Sequence, residues 1–554
     1  MKKLFATLII FQLLAAAFCH AQITERQRPE SWAQLVDGGR FMDRFLPMPE
    51  LGGMTSDTWG AAAVLPRDIN NGIEDGEWSY WGGNIRLLDD GKYHLFVCRW
   101  REDAPKGHME WPKSEVVHAV SDNSFGPFRV TQVVGKGHNP EWYITEEGQY
   151  VIYVIDGYYI SDNVNGPWQY KKFEFDTRDR PIIEGLSNLS FAKREDGSFI
   201  MVCRGGGIWI SRDGTSVWSQ ISNGTVYPPV DGRFEDPVIW KTNVQYHMIV
   251  NDWLGRIAWH LRSKDGMDWT IDSGEAYMPG IAVHENGVKE DWFKYERMKV
   301  LQDSYGRPLQ ASFAVIDTIK WNDLANDTHS SKLITIPLNA EKLITVMDEM
   351  SISEKTKEIN VLVKAEEDFD PINDLEIESL KFGSSGKVDF GGGIKVKKTK
   401  KVGNDLLVTF YGEGHGIDKD SFVAKMLGKS KAGDLIVAYT KLPGVEYKTT
   451  MLTSRKPVFD PSTNSLMVEI ENFGLAPSKS DTITVYEIRN DKELEMGSVV
   501  VPPLKPYDKI QLAIKPSINQ SKSIGQAYLV VSSNGGLPKI LYKTVAKVEQ
   551  RHQY

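Results

Sequence analysis

The chain has 554 residues, a length that suits about three or four domains, and its formal net charge of -9 excludes a nucleic-acid binder driven by bulk charge. With 3 Cys it has too few for a disulfide scaffold, and it lacks the closely spaced ligand pairs of a zinc site. Its 16 Trp, 21 Tyr and 22 Phe, concentrated before about residue 300, suit sheets packed face to face around a mouth that can stack on sugar rings.

Lys2 and Lys3 precede an apolar stretch from Leu4 to Phe18 and the sequence Cys19-His20-Ala21, the pattern of a signal peptide (1–21) cleaved before Gln22. The stretch falls short of the roughly 20 residues of a membrane span, and no later segment approaches that length. Export to the periplasm or the exterior is therefore expected, with no membrane span. Ala17-Phe18 does not fit the small-residue motif that would make Cys19 a lipid anchor. Cys98 and Cys203 sit in matching apolar runs, Phe-Val-Cys-Arg and Met-Val-Cys-Arg, and read as buried core thiols.

Five segments then align one under another. Gly83-Asn84-Ile85 leads to a strand from Lys92, His138-Asn139-Pro140 to one from Gln149, and Ser187-Asn188-Leu189 to one from Ser198. Glu235-Asp236-Pro237 leads to a strand from Gln245, and Glu296-Arg297-Met298 to one from Pro308. The second positions are 55, 49, 48 and 61 residues apart, a period that fits one four-stranded blade with its loops. A staggered repeat starts at Ser121, Ser161, Ser211 and Ser263, each time placing turn residues before an aromatic. The expected fold class is all-β: a five-bladed β-propeller over 22–345.

After about Thr345 the strands become shorter and alternating, as in Glu358-Ile-Asn-Val-Leu-Val and Asp405-Leu-Leu-Val-Thr-Phe, which predicts a β-sandwich over 346–450. A second sandwich is expected over 451–554, with strands such as Asp481-Thr-Ile-Thr-Val-Tyr and the run from Gln526. Its phrase Val468-Glu-Ile-Glu-Asn-Phe-Gly-Leu-Ala-Pro-Ser resembles the immunoglobulin-like adhesion modules of bacterial exported proteins. Neither region holds a carboxylate or His cluster, so both are expected to support or attach.

The innermost strand of each propeller blade lines the central channel, so the repeat entries converge: Asn84, His138 to Glu141, Asn188, Glu235-Asp236 and Glu296-Arg297. Glycoside cleavage commonly takes two carboxyl groups, one protonated and one ionised, and this ring supplies several. Asp236 would repel charge on Glu235 and help it keep a proton.

Phe234-Glu235-Asp236-Pro237, followed by a Tyr-rich strand, resembles the five-bladed glycoside hydrolases of family 43, over about residues 60–345. That resemblance implies that Glu235 is the general acid. The family pattern also has an Asp as base in the first repeat and an Asp in the third, where this sequence has Asn84 and Asn188. An amide cannot serve as a base, so Glu141, Glu296 or His138 must replace it if the chain is a hydrolase.

Arg99, Arg101, Arg204, Arg233 and Arg297 lie beside the repeat entries and suit a carboxylated or sulfated saccharide. Trp81, Trp100, Trp111 and Trp142 lie near the same entries, and one or two of them are expected to touch ligand. The substrate-binding set is therefore Asn84, His138, Asn139, Asn188, Asp236, Arg99, Arg204, Arg297 and Trp81, with an oligosaccharide as partner. No cofactor is expected; a Ca²⁺ in the channel stays open, since no contiguous ligand loop is present. The expected function is an exported exo-acting glycoside hydrolase. A catalytically silent glycan-binding propeller is the main alternative, and a uronic-acid lyase using His138 with Arg204 a third.

Overall fold

The computed structural model describes residues 27–253, 256–516, 527–533 and 539–544. The expected signal peptide, with Cys19, and Gln526 lie outside the described residues. Strands carry almost all the regular structure, and the only α-helix among the described residues is Ser385–Val388. No described helix is long and apolar enough to cross a membrane.

Between Trp78 and Pro337 the chain forms five consecutive sheets, antiparallel except that Phe175–Asp176 joins the edge of the third in parallel with Trp218–Gln220. Their first strands are Trp78–Leu87, Glu141–Ile144, Ser190–Lys193, Phe234–Lys241 and Lys294–Gln302. The last strands of the first, second and fourth sheets are their most exposed, while the middle strands are largely buried. The middle strands of the fourth, Tyr246–Asp252 and Ile257–Ser263, are buried at every position. The last strand of the second, Gln169–Lys172, is exposed at every position. Near-continuous apolar runs in the middle strands follow from this, because both faces are covered by neighbouring sheets; Trp142, Trp209, Trp218 and Trp240 are among the largest fully buried side chains.

The Ser repeat sits at one recurrent turn. The third strand ends at Ser121, Ser161, Ser211 or Ser263. An Asn or Asp two residues on then accepts a backbone N–H: Asn123 Oδ1 from Phe125, Asn163 Oδ1 from Asn165, Asp213 Oδ1 from Thr215, Asp265 Oδ1 from Met267.

The first strands pack in a circuit: first on second, third on fourth, fourth on fifth, fifth back on first. The second meets the third through Glu141 Oε1, which accepts from Phe191 N at 3.2 Å. The fifth sheet has three strands, and the N-terminal segment completes its edge, with Ile73 N donating to Leu333 O at 3.0 Å. Asn71 clamps this seam, its Nδ2 donating to Thr335 O at 2.9 Å and its Oδ1 accepting from Thr335 N at 2.7 Å. Gly72, at φ +71°, is required there, since a Cβ would stand 1.9 Å from Leu333 O.

From Ile344 to Lys441 a seven-stranded path curls around a core including Val361, Phe382, Phe410 and Met426, bringing its two end strands into contact. The last unit packs two sheets over Leu466, Val468, Ile483, Val485 and Val530. Arg180 fastens it to the third sheet, with Nη2 donating to Thr453 Oγ1, Ser454 O and Leu541 O at 2.9, 3.1 and 2.7 Å.

Candidate functional site

All five first strands begin with one extra residue. The pairing register skips from Trp81 to Asn84, from Glu235 to Val238 and from Glu296 to Lys299, against partners only two apart. In the second and third sheets His138 O and Ser187 O accept from Ile155 N and Arg204 N, and the ladder resumes at Glu141 and Ser190. These are β-bulges, and the residue opening each is left-handed: Gly82 (φ 65°), Asn139 (55°), Asn188 (50°), Asp236 (52°) and Arg297 (50°). Asn and Asp tolerate that conformation and Gly adopts it freely; an Arg there costs of order 1 kcal/mol or more and persists only because its surroundings hold it.

This fixes the phase of the repeats and corrects one expectation. Asn84 is not the counterpart of Asn139 and Asn188; Gly82 is. Asn84 lies two residues further on, in a layer with Glu141, Ser190, Val238 and Lys299, all nearly or fully buried. There it is structural, its Oδ1 accepting from Trp142 N at 2.8 Å and its Nδ2 donating to Trp142 O at 3.0 Å. The layer before the bulge is Trp81, His138, Ser187, Glu235 and Glu296. Neither Trp81-Gly82 nor Ser187-Asn188 supplies a carboxyl, so the first and third sheets have none at the mouth.

Glu141 also differs from expectation. It is 2 % exposed, ion-paired to Lys299, and accepts from Phe191 N at 3.2 Å. Lys299 Nζ also donates to Ser190 Oγ at 3.1 Å, while burial, opposed by Glu141, lowers its pKa to about 8. Buried and with both oxygens engaged, Glu141 is not open to a substrate.

Three carboxyls gather at the bulges of the fourth and fifth sheets. Glu235, Asp236 and Glu296 each bring an oxygen within 4.8 Å of the others. Glu296 is 1 % exposed and contacts both Lys294 and Lys320, so it too is closed to a ligand. Burial works against its charge, but the two ammonium groups outweigh burial and hold its carboxyl well below the usual range. Asp236 behaves oppositely: burial, then repulsion from Glu296, raise it to about 6 against the pull of Arg297. One of its oxygens receives Arg297 Nη1 at 3.2 Å; the other has no hydrogen-bond partner. The side chain that holds a proton toward neutral pH is thus Asp236. Glu235 is paired with Arg204 Nη2 at 3.0 Å, and its side chain is 18 % exposed. The three carboxyls have the spacing of a cation site, yet each already faces an organic cation, which disfavours a metal there.

Of the expected binding residues, Arg297 is buried in its pair with Asp236, and Arg99 is tied to Glu115 at 2.8 Å with its guanidinium over Trp78. Trp81, Trp100 and Trp142 are core. Trp111 is half-buried, its ring centroid 4.8 Å from that of His138. Asn139 donates to Asn188 at 3.2 Å across the bulge ring. The structure therefore brings together Glu235, Asp236, Glu296, Arg204, Arg297, Asn139, Asn188 and His138, and adds Lys294 and Lys320, which sequence reasoning missed. Lys320 opens a short 3-10 turn, Lys320–Asn322, after the fifth sheet's second strand, and nothing in the repeat pattern marks it.

No protein-family model and no curated protein matches the chain. Among solved structures it is similar to a glycoside hydrolase, at 12 % identity and a TM-score of 0.35 over 84 % of this chain and 96 % of that one. A family 43 arabinoxylan arabinofuranohydrolase from Bacillus subtilis, in complex with cellotetraose, gives 12 % and 0.32 over 84 % and 96 %. A protein of unknown function from Dyadobacter fermentans gives 11 % and 0.32 over 54 % and 94 %. These TM-scores are below the level that marks a shared fold.

Proposed function

We propose that the chain is an exported glycoside hydrolase that removes a sugar from the end of an anionic oligosaccharide. In this reading residues 22–345 are a five-bladed β-propeller, and the modules 346–450 and 451–554 are immunoglobulin-like supports. The observation that carries it is the position of Glu235. Of three carboxyls clustered at the bulge ring it is the most exposed, so it is the group that can touch a leaving oxygen.

The basic groups support an anionic substrate. Arg204, Arg297, Lys294 and Lys320 surround the three carboxyls, and Arg204, paired with Glu235 at 3.0 Å and 3.9 Å from Glu184, keeps its side chain 23 % exposed, within reach of a substrate anion. A substrate carboxylate or sulfate that takes Arg204 would free the Glu235 carboxyl to reach the leaving oxygen. Export rests on the N-terminal sequence, and exo action on the resemblance to family 43.

The absence of a carboxyl from the mouth positions of the first and third sheets favours a second reading, a propeller that binds glycan without cutting it. Product release by the wild type and by Glu235→Gln on acidic and sulfated oligosaccharides separates the two. Cleavage lost in the variant supports the hydrolase. Binding without cleavage by either protein supports the silent reading.

A further inference from the structure

The hydrolase reading leaves the attacking water without a base: Glu141 and Glu296 are closed off, Asp236 is 3 % exposed, bound to Arg297 and raised toward its protonated form, and two of the three remaining positions before the bulges are Trp81 and Ser187. The third is His138. It stands just before the bulge of the second sheet as Glu235 stands just before that of the fourth, so the same backbone device presents both side chains in one layer.

The protons around this imidazole can be assigned. Cys98 Sγ lies 2.9 Å from Trp81 O, and Ser114 Oγ lies 2.9 Å from Gly137 O. A carbonyl only accepts, so the single proton of each side chain points at its carbonyl. Both heteroatoms also face His138 Nδ1, Oγ at 3.0 Å and Sγ at 3.4 Å, and with their protons committed they can only accept. Nδ1 therefore carries the hydrogen, and Nε2 keeps a bare lone pair.

We propose that His138 is the general base of the pocket, held by Ser114 and Cys98 in the Nδ1–H tautomer so that Nε2 takes a proton from the attacking water. This rests on the hydrolase reading and supplies its missing partner. As the water oxygen bonds to the anomeric carbon, its proton passes to Nε2. The glycosidic C–O bond breaks with its electron pair on the leaving oxygen, which takes the proton of Glu235. The step adds one water overall and leaves an imidazolium and a carboxylate, which solvent resets. Burial, then Arg297 and Lys320, hold the His138 pKa well below the ordinary 6.5, with Glu296 opposing, so the free ring is neutral at neutral pH. Ser114 and Cys98 act through His138 and are positioning residues.

Imidazole ¹⁵N spectra of the labelled full chain, with His138→Asn to assign the signals, test the tautomer without needing activity. A protonated Nδ1 with a bare Nε2 at neutral pH is expected; a protonated Nε2 or an imidazolium overturns the proposal. On a glycan that the wild type cleaves, His138→Gly should lose about 10²- to 10⁴-fold in kcat and regain activity with added imidazole. His138→Gln, kept if its thermal transition matches the wild type, should show the loss without the rescue. Full activity in either variant, or a loss that imidazole does not restore in a folded His138→Gly, overturns the proposal and leaves the hydrolase reading standing. A wild type that cleaves none of the panel overturns the hydrolase reading and the catalytic role with it, while the spectra still decide the tautomer.

Discussion

Lys299 of the fifth sheet meets Glu141 of the second in the layer just after the bulges, and each side chain is only 2 % exposed. The first sheet lies between theirs in the circuit, so this pair ties together two sheets that share no ladder. Removing one partner of a buried ion pair leaves a desolvated charge and costs about 3–5 kcal/mol. Lys299→Met and Glu141→Gln should each lower the urea midpoint accordingly, and the double variant should lose less than the two losses combined. Cleavage per folded molecule should survive Glu141→Gln. Unchanged stability with abolished cleavage would return Glu141 to the reaction.

Glu235→Gln should behave in the opposite way. Its partly exposed pair with Arg204 is worth about 0–1 kcal/mol, so stability should barely change, whereas loss of a general acid should lower kcat about 10²- to 10⁴-fold. Calorimetry and product release on the same preparation check both halves.

The contrast between these two glutamates shows where sequence reasoning stopped. The five-fold repeat and its Ser-led turns are local, so strand order and the turn between third and fourth strands were legible. The layer of Glu235 and Glu296 was legible too, because a charged residue before a bulge interrupts an apolar run. The first repeat was misphased by two residues, since Gly82-Gly83 carries no side chain to mark the bulge and Asn84 imitates Asn139 and Asn188. Glu141 read as a mouth residue because its burial depends on Lys299, 158 residues away. The tautomer of His138 was illegible for the same reason: it depends on where Cys98 and Ser114 send their protons, which only the folded backbone decides.

Arg204 should set the preference for anionic glycans. Arg204→Ala should raise KM for acidic or sulfated substrates about tenfold or more, from loss of a charge-assisted bidentate contact, and change KM for a neutral analogue little. Arg204→Lys should recover part of the loss, because an ammonium keeps the charge but not the fork. Rising salt should weaken the wild type more than Arg204→Ala. Equal effects on charged and neutral glycans would mean that Arg204 serves only to hold Glu235.

The buried carboxyl of Asp236 should imprint a pH dependence on stability. Its pKa rises from an ordinary 3.8 in the unfolded chain to about 6 in the fold, so between those values the folded state binds the proton more tightly. Stability from this group is therefore greatest below about pH 4 and falls as pH rises through 6. Asp236→Asn removes that slope. It also weakens the hold on Arg297, but that penalty does not vary over this range, because Arg297 stays charged throughout. Thermal unfolding from pH 4 to 7 should thus show the variant improving steadily relative to the wild type as pH rises. Glu296, held well below its ordinary value, gives the opposite sign and acts only at lower pH, where stability is lost on acidification. A variant that instead falls further behind toward pH 7 would mean that the pair with Arg297 governs Asp236 and that this carboxyl is ionised in the fold.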